Sequence, residues 1–135
     1  DVVSVDYLQL LQTGGMDGQG EIQAMRRIAL GRTSQDLHDI AQEQGVALWT
    51  AYQANRIGIT KMRGTIDGTG VLDVTDYAEA IDAAWPAAVI VSVNQSAVEA
   101  PNSTGRLFLA ENRGGPSVRT MNVRLDWATS SVRDA

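Results

Sequence analysis

Val3-Ser4-Val5-Asp6-Tyr7-Leu8-Gln9-Leu10 is the stretch whose reading decides the fold. An apolar, β-branched run that ends on an aspartate is how a buried parallel strand delivers one carboxylate to the ligand edge of an α/β sheet, where magnesium-bound nucleotide chemistry is usually done. The strand is expected over Val2 to Val5. Residues 13 to 20 follow as a loop whose four glycines make it mobile or closely packed on something. From Glu21 to Gln44 apolar residues recur at Ile22, Met25, Ala29, Leu37, Ile40 and Ala41, a helical period that fades only around Gly31 to Ser34. One long helix or two short ones fit, with Thr33 and Ser34 available as caps and Gly31 costing about 1 kcal/mol. Gly45 ends the helix and Val46 to Thr50 is a second apolar strand. The order strand, helix, strand is a right-handed crossover unit of a parallel sheet.

Past the second strand comes a polar cluster, Tyr52-Gln53-Ala54-Asn55-Arg56, and then an irregular stretch to Leu72 that carries Lys61 and Arg63. Connections of that length inside compact domains are commonly functional or disordered. Thr75 is placed to cap a short helix through Ala84, stopped by Trp85-Pro86. Ala88 to Val93 reads as a third strand buried on both faces. Arg106 to Ala110 and Val118 to Leu125 read as two further strands, joined by a hairpin-type turn containing Gly114-Gly115-Pro116.

The bulk composition narrows the function classes. A chain of 135 residues with 44% hydrophobic residues holds one domain at most and enough apolar material for a core. Its net charge of -5 argues against indiscriminate nucleic-acid binding, so any DNA contact must be local. Without cysteine there is neither a disulfide framework nor a thiolate metal site, and the lone His38 excludes a histidine cluster. No apolar run approaches the roughly 20 residues of a membrane span, and a cytoplasmic protein is the simplest reading. The first residue is not methionine, so Asp1 reads as a cut end.

Each candidate site residue has a plainer explanation beside it. Asp6 is either a ligand-edge carboxylate or a solvated aspartate; Gln53, Asn55 and Arg56 either face the same crevice or cap a loop. Arg113, in the hairpin turn, is either a finger that reaches a neighbouring subunit's phosphate or an exposed arginine. His38 and the pairs Asp36/Asp39 and Glu79/Asp82 read as solvated helix faces. Trp49, Trp85 and Trp127 read as core or hairpin packing, because none has a basic surrounding.

Val-Asp-Tyr-Leu-Gln-Leu-Leu at 5 to 11, with Gly-Val-Ala-Leu-Trp-Thr-Ala-Tyr-Gln-Ala-Asn-Arg at 45 to 56, resembles the DnaB-type replicative helicase family and its phage relatives. The segment 78 to 91 looks like the family's approach to a buried strand. Glu-Asn-Arg-Gly-Gly-Pro at 111 to 116 is similar to its basic hairpin motif. The resemblance runs to about Trp127. It implies the carboxyl-terminal part of a single RecA-like P-loop NTPase domain, an α/β fold with a mostly parallel sheet and a C-terminal β-hairpin. By the same resemblance Asp6 matches the Walker B aspartate that holds the water shell of Mg2+ on ATP. Gln53 matches the γ-phosphate sensor, and Arg113 the arginine finger of a hexameric ring. The segments 13 to 20 and 56 to 72 match loops that face single-stranded DNA, making Arg56, Lys61 and Arg63 candidate phosphate contacts.

Two departures qualify that expectation. Glu111 stands where the family usually has a lysine, which reverses the charge beside the finger. The phosphate-binding Gly-x-x-x-x-Gly-Lys-Ser/Thr loop and the catalytic glutamate lie upstream in the family and are absent from these residues. The expected function is therefore a motor segment of a DNA helicase, translocating on single-stranded DNA and inactive without the amino-terminal half of its ATPase domain. A non-catalytic RecA-like binding or assembly module, or a recombinase or clock-type ATPase, is the alternative.

Overall fold

The β-branched opening run forms β1, Val2–Val5, and Ala47–Thr50 forms β2 beside it. The two pair in parallel, Val2 opposite Ala47 and Val5 opposite Thr50. Between them α1 runs unbroken from Ile22 to Gln44. Thr33 and Ser34 do not start a second helix, because both hydroxyls are engaged elsewhere: Thr33 donates to the Ala29 carbonyl at 3.0 Å and Ser34 to the Ala83 carbonyl at 2.7 Å. Gly45, at φ +61°, ends the helix in the left-handed conformation that glycine adopts without penalty.

The computed structural model describes residues 1–8, 11, 22–55, 58–60, 70–76 and 81–135. They belong to two units, Asp1–Gln53 with Tyr77–Ala87 and Ala54–Asp76 with Ala88–Ala135. The first unit holds the parallel pair, α1 and the one-turn helix α2, Ile81–Ala84. Leu8, Leu30 and Ala83 make its core, with Leu37 and Tyr52 packed against them. Each buried leucine contributes about 1.5–3 kcal/mol. Ile40, one of the apolar positions of the helical period, is half exposed, whereas Leu30 is buried.

The second unit is a four-stranded sheet in the order β3-β4-β5-β6, with β3 at Val89–Asn94, β4 at Thr104–Asn112, β5 at Arg119–Asp126 and β6 at Ser131–Asp134. All its pairings are antiparallel. This overturns the expectation of a RecA-like P-loop NTPase fold with a mostly parallel sheet: among the described residues four of the six strands are antiparallel, and the parallel component is β1 with β2. The cause lies in the connections. A parallel pairing needs a crossover of a dozen or more residues. Residues 95–103, between β3 and β4, are too few and fold into a 3-10 turn at Ala100–Asn102. The segment containing α1 is long enough to cross over, and among the described strands β1 and β2 are the pair joined in that way.

β3 is also not buried on both faces. Ile90 and Asn94 are buried while Val89, Val91 and Val93 are exposed, the alternation of a one-sided strand. Its inner face is partly polar: Ser92 donates to the Leu72 carbonyl at 2.7 Å and Asn94 Oδ1 accepts from the Leu72 amide at 2.8 Å. The expected helix from Thr75 to Ala84 is described at its two ends, a 3-10 turn at Val74–Asp76 and α2. Asp73 makes the local turn there, accepting from the Thr75 amide at 2.7 Å and also from its hydroxyl. Among the described residues no helix is long and apolar enough to cross a membrane.

Candidate functional site

Parallel strands place their carboxyl ends at one edge, and β1 and β2 are in register there, Val5 against Thr50. The lateral link continues one step beyond the strands through the Leu8 amide, which donates to the Ala51 carbonyl at 3.3 Å. Asp6 directly follows β1, and Gln53 lies three residues after β2. Both are exposed at that edge, and the Asp6–Tyr7 peptide bond is cis. One carboxylate and one amide are thus presented to solvent from neighbouring strand ends, an arrangement that suits a hydrated cation and a phosphate oxygen.

Asn55 has a different task. Its side-chain oxygen accepts from the Gly58 amide at 2.6 Å and its own amide donates to the Asp76 carbonyl at 2.9 Å, so it caps the turn at 58–60. Gly58 sits against Asp76 so closely that an added Cβ would lie 2.6 Å from the aspartate's Cβ. The loop-capping reading applies to Asn55. Arg56, Lys61, Arg63 and the glycine-rich residues 13 to 20 lie outside the described residues.

Arg113 lies in the β4–β5 turn of the second unit, which Asn112 builds: its oxygen accepts from the Gly114 amide at 3.1 Å and its amide donates to the Pro116 carbonyl at 3.2 Å. The Arg113 amide donates to the Ala88 carbonyl at 2.9 Å. Its guanidinium lies 3.6 Å from Glu111, both side chains being nearly half exposed. At that distance the contact is an ion pair without hydrogen-bond geometry, and exposure keeps it weak. The contact with Glu111 therefore adds little hold on the guanidinium.

The remaining candidates separate cleanly. His38 exchanges a 2.9 Å hydrogen bond with Gln42 on the surface of α1, and Asp39 accepts from Gln35 at 2.8 Å. Among the described residues no group of three or more His, Cys, Asp or Glu side chains can hold a metal ion. Of the expected core or hairpin packing of the tryptophans the core half fails, the three being 59% (Trp49), 72% (Trp85) and 67% (Trp127) exposed, while Trp127 lies in the β5–β6 turn and donates from Nε1 to Gln95 Oε1 at 3.0 Å.

Two clusters escaped sequence reasoning. Glu99 and buried Arg106 form a two-pronged pair, Nε to Oε1 at 2.8 Å and Nη2 to Oε2 at 3.0 Å. Burial pushes the Glu99 carboxyl up, but hydrogen bonds from Arg106 and Ser96 outweigh it and hold the group below the usual carboxylate range. The second cluster is Arg124 opposite Arg133, which needs β6 and its register to be seen. No protein-family model matches the chain, and no curated protein matches it.

Proposed function

We propose that this chain is a motor segment of an ATP-driven DNA helicase that works as a ring, hexameric in the intact protein, on single-stranded DNA in the cytoplasm. The observation that carries the reading is the in-register parallel pair β1–β2, which sets Asp6 and Gln53 at one edge. The family resemblance of the same two motifs supports it. Mg2+ keeps several waters and is commonly held by one or two carboxylates together with substrate phosphates, so a single aspartate fits it. Bound Mg2+ would neutralise charge on the phosphates of ATP; Asp6 would hold the hydrated ion and Gln53 would orient on the terminal phosphate. Arg113 acts on the nucleotide of a neighbouring subunit. On this reading the phosphate loop comes from outside these 135 residues, which contain no Gly-x-x-x-x-Gly-Lys-Ser/Thr sequence.

DNA-stimulated ATP hydrolysis by the native protein tests the proposal. Arg113→Ala is expected to lower turnover by at least about 10³-fold, the range of arginine-finger losses; unchanged turnover would remove the finger. The Glu111–Arg113 ion pair favours a second reading, a non-catalytic binding or assembly module. That reading expects no hydrolysis in the native protein.

A further inference from the structure

Side chains of an antiparallel sheet alternate between its two faces, and the register sorts those of the second unit. One face carries Ser92, Asn94, Arg106 and Phe108, all buried or half-buried. The other is apolar. Val93, Leu107 and Met121 stand side by side across β3, β4 and β5, and Val91, Leu109 and Arg119 form the row on one side of them. Gly105, Val123 and Asp134, on β4, β5 and β6, form the row on the other side. Val123 is buried, but Val91 is 39%, Val93 51% and Met121 57% exposed. The covered face is thus partly polar and the open face apolar, the reverse of an ordinary one-sided sheet. A contiguous apolar patch rimmed by charge marks an interaction surface.

The charges at its margins indicate what covers it. Arg119 ends one outer row and Asp134 the other; both are exposed, and among the described residues neither has an ion-pair partner. Asp134 pairs with Val123, four residues along β5 from Arg119. At about 3.4 Å per residue and 4.8 Å between strands, the two charges stand roughly 14 Å apart, too far to meet within one copy. A twofold axis running along the row Val93, Leu107, Met121 lays the Arg119 row of one copy over the Asp134 row of a second. Arg119 then meets the partner's Asp134, and Asp134 meets the partner's Arg119, the reciprocity that a self-complementary interface requires. The same operation sets the row Val93, Leu107, Met121 against its own counterpart and brings Val91 and Leu109 over the row that holds Val123. Sheets aligned in this way interdigitate at a spacing of about 10 Å.

We propose that this face is a contact between two copies of the chain, packed sheet on sheet about a twofold axis, with Arg119 and Asp134 pairing across it at both ends. It is a different surface from the head-to-tail contact through which Arg113 reaches a neighbour in a ring, and it uses none of the residues of that reading.

Sedimentation equilibrium of the native protein, without nucleotide or DNA, tests this. Met121→Glu sets two carboxylates against each other at the axis and is expected to weaken association at least about a hundredfold. Its far-UV circular dichroism should match the native protein, because the side chain is more than half exposed in the single copy. Arg119→Asp and Asp134→Arg each place like charges at both ends of the contact, and each is expected to self-associate on the order of tenfold more weakly. An equimolar mixture of the two single variants is expected to associate as the native protein does, since every charge then meets its opposite; a residue needed only for folding would not be rescued by mixing. A monomeric native protein, a Met121→Glu variant that associates as tightly as the native one, or a mixture no tighter than its components would overturn the proposal. A ring held by head-to-tail contacts alone gives the second of these outcomes. With no nucleotide present, this result and that of the hydrolysis assay stand or fall separately.

Discussion

On the proposed reading, the 3.6 Å ion pair between Glu111 and Arg113 would have to open before the guanidinium could reach a phosphate. Glu111→Lys removes that contact, and ATP turnover in the native protein is expected to rise by a few-fold. Stability should change by less than about 1 kcal/mol, as exposed pairs contribute little; a loss of turnover on substitution would show that Glu111 has a positive role. Glu99 is a contrasting case, paired with an arginine whose side chain is 7% exposed. Glu99→Ala leaves that charge buried and alone, and chemical denaturation should show a loss of about 3–5 kcal/mol. The carboxyl's pKa lies below its unfolded value of 4.5, so its stabilisation is fully present above that value. It fades as pH falls through the lower, folded-state value. Denaturation midpoints followed downward from pH 6 should therefore fall in the native protein and fall less in Glu99→Gln.

At the scale of elements, local patterning made β1, α1 and β2 legible, and with them the placement of Asp6 and Gln53. The Val2–Val5 run, the helical period and Gly45 act within a few residues of themselves. What the pattern left open is how α1 holds α2, which depends on the Ser34 hydroxyl reaching Ala83 across 49 positions. Ser34→Ala should lower stability by about 0.5–1.5 kcal/mol if this bond is what fixes the short helix, measured by thermal or urea unfolding. β3 was misread because a run of Val and Ile looks alike whether it is covered on one face or two. Its polar inner face depends on Leu72, remote in sequence. β6, and with it the Arg124–Arg133 pair, was invisible because Ser131–Asp134 is short and has little apolar content. At Gly105 tolerance is set by packing: an added Cβ would collide with the Leu125 side chain, and Gly105→Ala should cost about 1–3 kcal/mol.

At the scale of the whole molecule, the chain divides its chemistry between two units, with Asp6 and Gln53 in one and Arg113, Arg124 and Arg133 in the other. The antiparallel second unit also shows that family-like motifs do not by themselves specify the sheet around them. The central claim is that Asp6 serves Mg2+–ATP hydrolysis, and the most direct measurement is steady-state hydrolysis by the native protein beside Asp6→Asn, with single-stranded DNA present. The account predicts Mg2+-dependent turnover in the native protein and its loss by at least about 10²-fold in Asp6→Asn, with Mg2+ dependence weakened. Equal turnover in the two proteins, or none in the native one, would contradict it.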